Sequence, residues 1–201
     1  TKDLARLKSF WKNPRAQFVV VYGRRRVGKT ALLAEFARQR SCLHWIAYRG
    51  TSAELLKDLS QRVSCFLHQG SLPDANFSYG SWQGLFDVIA LAAEKKRFGV
   101  VIDEFPYLMD SDASFSSILQ AQWDQRLSKT KLFLVISGSR YGMIKKEVLL
   151  PKAPLYGRAT ALLALEPVAI EEFPQFFPRY HPVQWIEVFG ITGGIPKYFE
   201  F

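Results

Sequence analysis

Two kinds of run organise this chain: short unbroken apolar stretches, and longer stretches with apolar residues three and four apart. Gln17-Phe18-Val19-Val20-Val21-Tyr22 is rich in β-branched residues and predicts a strand buried on both faces. Ala31-Leu32-Leu33-Ala34-Glu35-Phe36-Ala37-Arg38 is built of good helix formers with apolar residues at helical spacing. A second strand is expected over 43–48. Thr51-Ser52-Ala53-Glu54 is a capping box, and Leu55, Leu59, Val63 and Phe66 lie on one face of the helix it opens. Residues 69–80 hold Gly, Pro, Asp, Asn and Ser and predict a loop. Trp82, Leu85, Phe86 and Ile89 mark another helix. Further strands are expected over 98–104, 131–137 and 159–165, with helices over 115–127 and from near Pro182. Strand and helix in alternation predict an α/β fold, a parallel sheet with helices on its faces. No internal repeat or low-complexity tract interrupts it.

The first strand runs into Gly23-Arg24-Arg25-Arg26-Val27-Gly28-Lys29-Thr30, which fits G-x-x-x-x-G-K-[ST], the Walker A loop. Strand, glycine loop and helix form the geometry a phosphate needs. Successive backbone N–H groups curl around its oxygens, and the helix N-terminus adds a favourable dipole. Lys29 is the cation for the β- and γ-phosphates, and the Thr30 hydroxyl is a Mg²⁺ ligand candidate.

Phe98-Gly99-Val100-Val101-Ile102-Asp103-Glu104 has the Walker B form, a buried strand ending in carboxylates. Asp103 would complete the Mg²⁺ shell begun by Thr30. Glu104 would orient or deprotonate the attacking water. An enzyme that passes phosphate to a small molecule has less need of it, so Glu104 favours hydrolysis. A strand and helix between the two Walker strands, with a polar-ended strand after them, fit the division of P-loop NTPases that inserts an additional strand between the Walker strands. In Ser137-Gly138-Ser139, either serine is a candidate sensor of the γ-phosphate; a plain Ser-Gly-Ser turn is the alternative.

Composition narrows the picture little further. The chain has 201 residues, with 48% hydrophobic and 22% charged, ordinary values for a globular protein. No apolar run approaches the length of a membrane span, and no signal peptide is visible. The chain begins at Thr1 rather than Met, so trimming and targeting stay open, and the expected location is cytoplasmic. Cys42 and Cys65 are isolated and read as free thiols. His44, His68 and His181 are scattered and suggest no metal cluster. The net charge of +9 owes part of its excess to Arg24, Arg25 and Arg26, placed for a polyphosphate. Lys95-Lys96-Arg97 and Lys145-Lys146 could meet nucleic acid, but no nucleic-acid motif accompanies them, and a solvated surface is the favoured reading.

Taken together, Tyr-Gly-Arg-Arg-Arg-Val-Gly-Lys-Thr, Val-Ile-Asp-Glu-Phe-Pro-Tyr-Leu, Ser-Gly-Ser, Leu155-Tyr156-Gly157-Arg158 and Gly193-Gly194-Ile195-Pro196-Lys197-Tyr198 occur in one order. In this the chain resembles the archaeal-type ATPases, a group also present in bacteria and related to the AAA+ and STAND P-loop proteins. The resemblance spans nearly the whole sequence. It implies an ATPase core over 1–165 and a small helical lid beginning at 166–201, cut short here. It also implies ATP or ADP with Mg²⁺ as cofactors, and often a C-terminal nuclease-like domain beyond. Arg158 is by this resemblance the candidate arginine finger, acting in cis or across a homo-oligomer; an Arg holding a carboxylate between strands is the alternative. Gly194 and Pro196 resemble the lid's Gly-x-Pro element, where the Pro packs near the adenine. An N-terminal Gly-Arg-Glu box usual in the family is absent, and Thr1-Lys2-Asp3-Leu4 stands where its tail would be. Three functions follow as expectations: a hydrolysing motor or switch that couples nucleotide state to a partner domain, a nucleotide-binding regulatory switch with negligible turnover, and a nucleic-acid-associated ATPase.

Overall fold

The apolar runs become the strands of one parallel sheet: β1 (Gln17–Gly23), β2 (Cys42–Ile46), β3 (Gly99–Asp103), β4 (Phe133–Gly138) and β5 (Ala161–Leu165), in the spatial order β2-β3-β4-β1-β5. The structure is a computed structural model and describes residues 2–200. β4 lies between β1 and β3, paired with the first from Gln17↔Phe133 to Tyr22↔Gly138 and with the second from Gly99↔Phe133 to Ile102↔Ile136. The additional strand expected between the two Walker strands is therefore in place. The fold is that of a P-loop NTPase.

Alternation along the strands sorts their side chains onto two faces. Phe18, Val20, Val100, Ile102, Leu134 and Ile136 point to one face and pack with residues of α3 (Ser52–Leu67), α4 (Trp82–Lys95) and α6 (Phe115–Gln125). Val19, Val21, Val101, Phe133, Val135 and Leu163 point to the other, where α1 (Lys2–Lys12) and α2 (Lys29–Arg38) supply Leu7, Leu33 and Phe36. Each such fully buried side chain contributes about 1.5–3 kcal/mol of transfer free energy.

The capping box that opens α3 forms as expected. Thr51 Oγ1 accepts from the Glu54 backbone N–H at 3.3 Å, and Glu54 Oε2 accepts from the Thr51 N–H at 2.8 Å. Helix α1 was not expected; residues 2–4 read as the tail of a motif instead. Its signal was the spacing of Leu4, Leu7, Phe10 and Trp11, all of which pack on the α2 side of the sheet. The basic cluster Lys95-Lys96-Arg97 also changes meaning. Arg97 donates to the Arg15 and Lys131 carbonyls at 3.1 and 3.3 Å, and its guanidinium lies 5.0 Å over the Trp11 ring. It braces α1 against the sheet rather than standing in solvent.

Short helices α5 (Pro106–Ser111) and α7 (Tyr141–Ile144) follow β3 and β4. After β5 the chain forms α8 (Phe173–Phe176), α9 (Pro182–Thr192) and a last helical turn over Pro196–Glu200. This segment is knitted by rings: Phe173 is fully buried, with Phe177, Phe189 and Phe199 centred 5.6, 5.7 and 5.2 Å away. The Val168 N–H donates to the Gly194 carbonyl at 2.8 Å and ties the Gly-Gly-Ile-Pro turn to the chain leaving β5.

Candidate nucleotide site

Five parallel strands end on one edge of the sheet, the place where open α/β folds bind ligands. Three strand ends meet here. β1 delivers the loop 23–30, β3 delivers Asp103 and Glu104, and β4 delivers Ser137 and Ser139. A cavity of about 600 Å³ opens between them. Arg25, Arg26, Gly28, Lys29 and Thr30 line one side of it; Glu104, Tyr107, Ser139 and Pro196 line the other.

The loop has the backbone its motif demands. Gly28 has φ 99° and serves as the N-cap of α2, a conformation that a side chain would strain. A Cβ built on Gly23 would collide with the Leu165 carbonyl oxygen of β5. Lys29 is largely buried and folds back on its own loop, its Nζ donating to the Gly23 and Arg24 carbonyls at 3.0 and 2.8 Å. Burial lowers its pKa, the Glu104 and Asp103 carboxylates beside it pull the other way, and Arg25 adds to the lowering. An ammonium held by two carbonyls in a partly dry site is ready to exchange them for phosphate oxygens.

Asp103 is completely buried. Its burial would raise its pKa, but surrounding groups, the His44 imidazole first and then Ser137, Thr30 and the Glu104 N–H, outweigh that and hold the carboxyl down to about 2. Ser137 Oγ donates to Oδ1, the Glu104 N–H donates to the same oxygen at 2.9 Å, and the Thr30 hydroxyl also faces the carboxylate. His44 Nε2 stands 3.8 Å from Oδ2, too far for a hydrogen bond, and both atoms are buried without a hydrogen-bond partner. A buried carboxylate oxygen left open beside a threonine hydroxyl suits a hard cation that also takes phosphate oxygens. These residues therefore fit Mg²⁺. Among the described residues there is no group of three or more His, Cys, Asp or Glu that could hold a metal ion.

His44 was set aside in the sequence as one of three scattered histidines. Strand pairing changes that: His44 faces Val101 across β2 and β3, on the side of the sheet that carries Asp103. Its only sequence signal was a polar residue inside an expected apolar strand.

Glu104 takes φ 52°, the left-handed region, a conformation that costs a non-glycine residue about 1–2 kcal/mol. The turn is held from both sides, with the Phe105 N–H donating to the Ser137 carbonyl at 2.8 Å and the Tyr107 N–H to the Glu104 carbonyl at 3.0 Å. Ser139 Oγ donates to Glu104 Oε2 at 3.2 Å. The two serines thus divide: Ser137 is on Asp103, and Ser139 is on Glu104 and at the cavity wall. Such strain, over-determined by its surroundings, is common at functional sites.

The Gly-Gly-Ile-Pro turn also reaches the site. Pro196 and Lys197 line the cavity, and Arg26, itself at φ 68°, donates to the Tyr198 hydroxyl at 3.2 Å with its guanidinium 5.5 Å over the ring. Gly194 packs against Val168 and Phe189 and is not among the residues lining the cavity. Arg24 contributes its carbonyl to Lys29, and Val27 is buried beneath the loop with Val19 and Val21.

Arg158 is elsewhere. It precedes β5, whose neighbour Thr160 hydrogen-bonds through its N–H to the Phe18 carbonyl at 2.8 Å, at the start of β1. That is the opposite edge of the sheet from Gly23, on the order of 15 Å away at the rise of a parallel strand. There it holds Asp124 in a two-pronged pair, Nε to Oδ1 at 2.9 Å and Nη2 to Oδ2 at 2.7 Å. The structure does not bring Arg158 to the phosphate loop of its own chain, so the cis form of the finger reading is corrected.

A parallel sheet with an inserted strand, a P-loop, and a paired Asp and Glu at its C-terminal edge define a P-loop ATPase. Residues 1–200 match the family model described as an ATPase domain predominantly from Archaea. The chain belongs to that family, is an ATPase domain and binds nucleotide. It is 32% identical over 184 residues to protein MJECL04 of Methanocaldococcus jannaschii, a match covering 92% of this chain and 39% of that protein. The fold is similar to that of the Walker-type ATPase PABY2304 of Pyrococcus abyssi, with a TM-score of 0.73 at 22% identity over 98% of this chain and 64% of the other. It is also similar to the ORC2 protein of Aeropyrum pernix in its ADPNP and ADP complexes, with a TM-score of 0.59 at 14% identity over 90% and 54% of the two chains. The chain therefore spans less than two thirds of these relatives. Among the described residues no helix is long and apolar enough to cross a membrane.

Proposed function

We propose that this domain hydrolyses ATP with Mg²⁺ and couples its nucleotide state to a partner domain or protein. The observation that carries the reading is the convergence of Lys29, Thr30 and Glu104 on one cavity, with the Asp103 carboxylate buried against the Thr30 hydroxyl. In this reading Lys29 leaves the loop carbonyls and meets the β- and γ-phosphates. Asp103, kept ionised by His44, Ser137 and Thr30, and the Thr30 hydroxyl would hold the cation, which when bound neutralises charge on the phosphate oxygens. Glu104, steered by Ser139, orients the attacking water and accepts its proton. We further assign 1–165 as the core and the segment from 166 as the start of a lid. Pro196 at the cavity and the Arg26–Tyr198 contact are the structural basis for coupling, since they link the phosphate loop to that segment.

Glu104→Gln keeps size and most hydrogen bonding but removes the base. ATP should still bind, and steady-state phosphate release should fall by roughly 10²- to 10⁴-fold, the usual weight of a general base. A turnover rate equal to wild type in the full-length protein refutes the assignment. The second reading, a regulatory switch with negligible turnover, draws on Lys29 being folded onto its own loop and Glu104 being held by Ser139. It predicts wild-type turnover already near the background rate. The nucleic-acid reading is less well supported, because Arg97 is engaged internally.

A further inference from the structure

A second cavity, of about 510 Å³, adjoins the nucleotide cavity on the side of Glu104 and Ser139. It is lined by Arg49 and Gly50 after β2, Tyr107 and Asp110 of α5, and Arg140 after β4. Tyr107 lines both cavities. The adjacency extends along the chain: Arg140 directly follows Ser139, and the Tyr107 N–H is bonded to the Glu104 carbonyl.

The charges here are arranged for an anion. Arg140 Nη1 donates to Asp110 Oδ2 at 2.5 Å, and its guanidinium lies 5.2 Å over the Tyr107 ring, which keeps the head at the cavity wall. Arg49 is exposed, and among the described residues no carboxylate lies within ion-pair distance of it. Arg49 and Gly50 lead straight into Thr51, the N-cap of the sixteen-residue helix α3, whose first turn is closed by the Glu54 carboxylate. Two guanidinium heads stand with the Asp110 carboxylate at this cavity, and the Glu54 carboxylate caps the helix end beside Gly50. Planar guanidinium groups match phosphate oxygens two at a time.

We propose that this cavity is a phosphate site, which takes the orthophosphate freed by hydrolysis as it leaves the nucleotide cavity. Hydrolysis adds the oxygen of one water to the terminal phosphorus and breaks its bond to the bridging oxygen. It yields ADP, orthophosphate and a proton. The orthophosphate is then released on the Glu104 side, next to Tyr107, with ADP still lying along the loop. Arg49 receives it first; Arg140 joins by exchanging Asp110 for phosphate oxygens. Because Asp110 competes for Arg140, the site binds weakly and lets its ligand go, as an exit station must. The proposal rests on the reading of Glu104 as the water-side residue.

The test uses full-length protein saturated with ADP and Mg²⁺, titrated with orthophosphate and followed by phosphorus NMR or equilibrium dialysis. Wild type should bind one phosphate beside ADP. Arg49→Ala, a change at an exposed loop position, should weaken phosphate roughly ten- to hundred-fold, the scale of one charge-assisted hydrogen bond, with ADP affinity unchanged. Asp110→Asn should tighten phosphate several-fold, a gain that a merely structural role of the Asp110–Arg140 pair would not produce. Steady-state phosphate release by Glu104→Gln is measured separately. A wild-type turnover rate there defeats the hydrolysis reading, whereas this site stands or falls on the phosphate titration. The proposal is overturned if saturating ADP abolishes phosphate binding, or if Arg49→Ala binds phosphate as tightly as wild type. It is equally overturned if a single-stranded oligonucleotide binds through Arg49 while orthophosphate does not.

Discussion

Strand β4 and helix α9 are both strongly apolar, and the fold treats them in opposite ways. Every residue of Phe133–Gly138 is buried, because β4 has a strand on each edge and helices over each face. In Pro182–Thr192 only Thr192 is buried, while Ile186 is 62% and Ile191 86% exposed. A helix that is apolar all round suits burial on all sides, and α9 is covered on one. Its inner contacts are Trp185, which donates to the Phe177 carbonyl at 3.0 Å, and Phe189, whose ring meets Phe173. Apolar sequence therefore sets only what burial could contribute; the number of neighbouring elements decides how much of it is realised.

The contrast should be largest in stability. Phe133 packs against Phe36 and Trp11 with ring centroids 5.3 and 5.2 Å away, so Phe133→Ala should cost about 3–5 kcal/mol in denaturant unfolding. Phe173→Ala, equally buried but placed in the segment after β5, should open that segment to hydrogen exchange and leave the protection of β1, β3 and β4 unchanged. Loss of protection in the sheet would mean the two regions unfold as one, and the comparison would break.

Next comes the site, which the core supports without depending on it. Lys29→Ala should weaken ATP roughly ten- to hundred-fold, the scale of the lost charged hydrogen bonds. Stability should not fall, because burial already disfavours the Lys29 charge. Calorimetric titration and thermal unfolding together check this; equal nucleotide affinity in mutant and wild type would remove the P-loop from the mechanism.

Arg158→Ala tests the far edge of the sheet. Its pair with Asp124 is partly exposed, so the stability cost should stay within about 1 kcal/mol, with turnover within about twofold of wild type. A large fall in hydrolysis with ATP affinity intact would show that Arg158 acts on a neighbouring molecule's site. The smallest effect is expected on the outer face of α9: Ile191→Ser should move the unfolding free energy by no more than about 0.5 kcal/mol. A larger loss, measured in the full-length protein, would show that this face is covered there.

The Walker A loop, the capping box at Thr51 and the apolar strands were legible because each depends on residues adjacent in sequence. A glycine that must take φ 99°, a side-chain oxygen three residues from its N–H partner, and alternation along one strand are local conditions. Pairing between distant segments left no such trace. That Ser137 reaches Asp103 while Ser139 reaches Glu104 follows from the register of β3 on β4, which neither strand shows alone. His44 beside Asp103 depends on β2 being the neighbour of β3, and Arg158 on Asp124 depends on the chain crossing back beneath β1. Local conformation and burial pattern are written residue by residue, so the sequence alone determined a P-loop fold and its principal ligand. Which distant side chains meet depends on strand order and register, settled by the packing of the whole domain at once, so the tertiary structure alone decided how the acidic residues are held and where the arginines go.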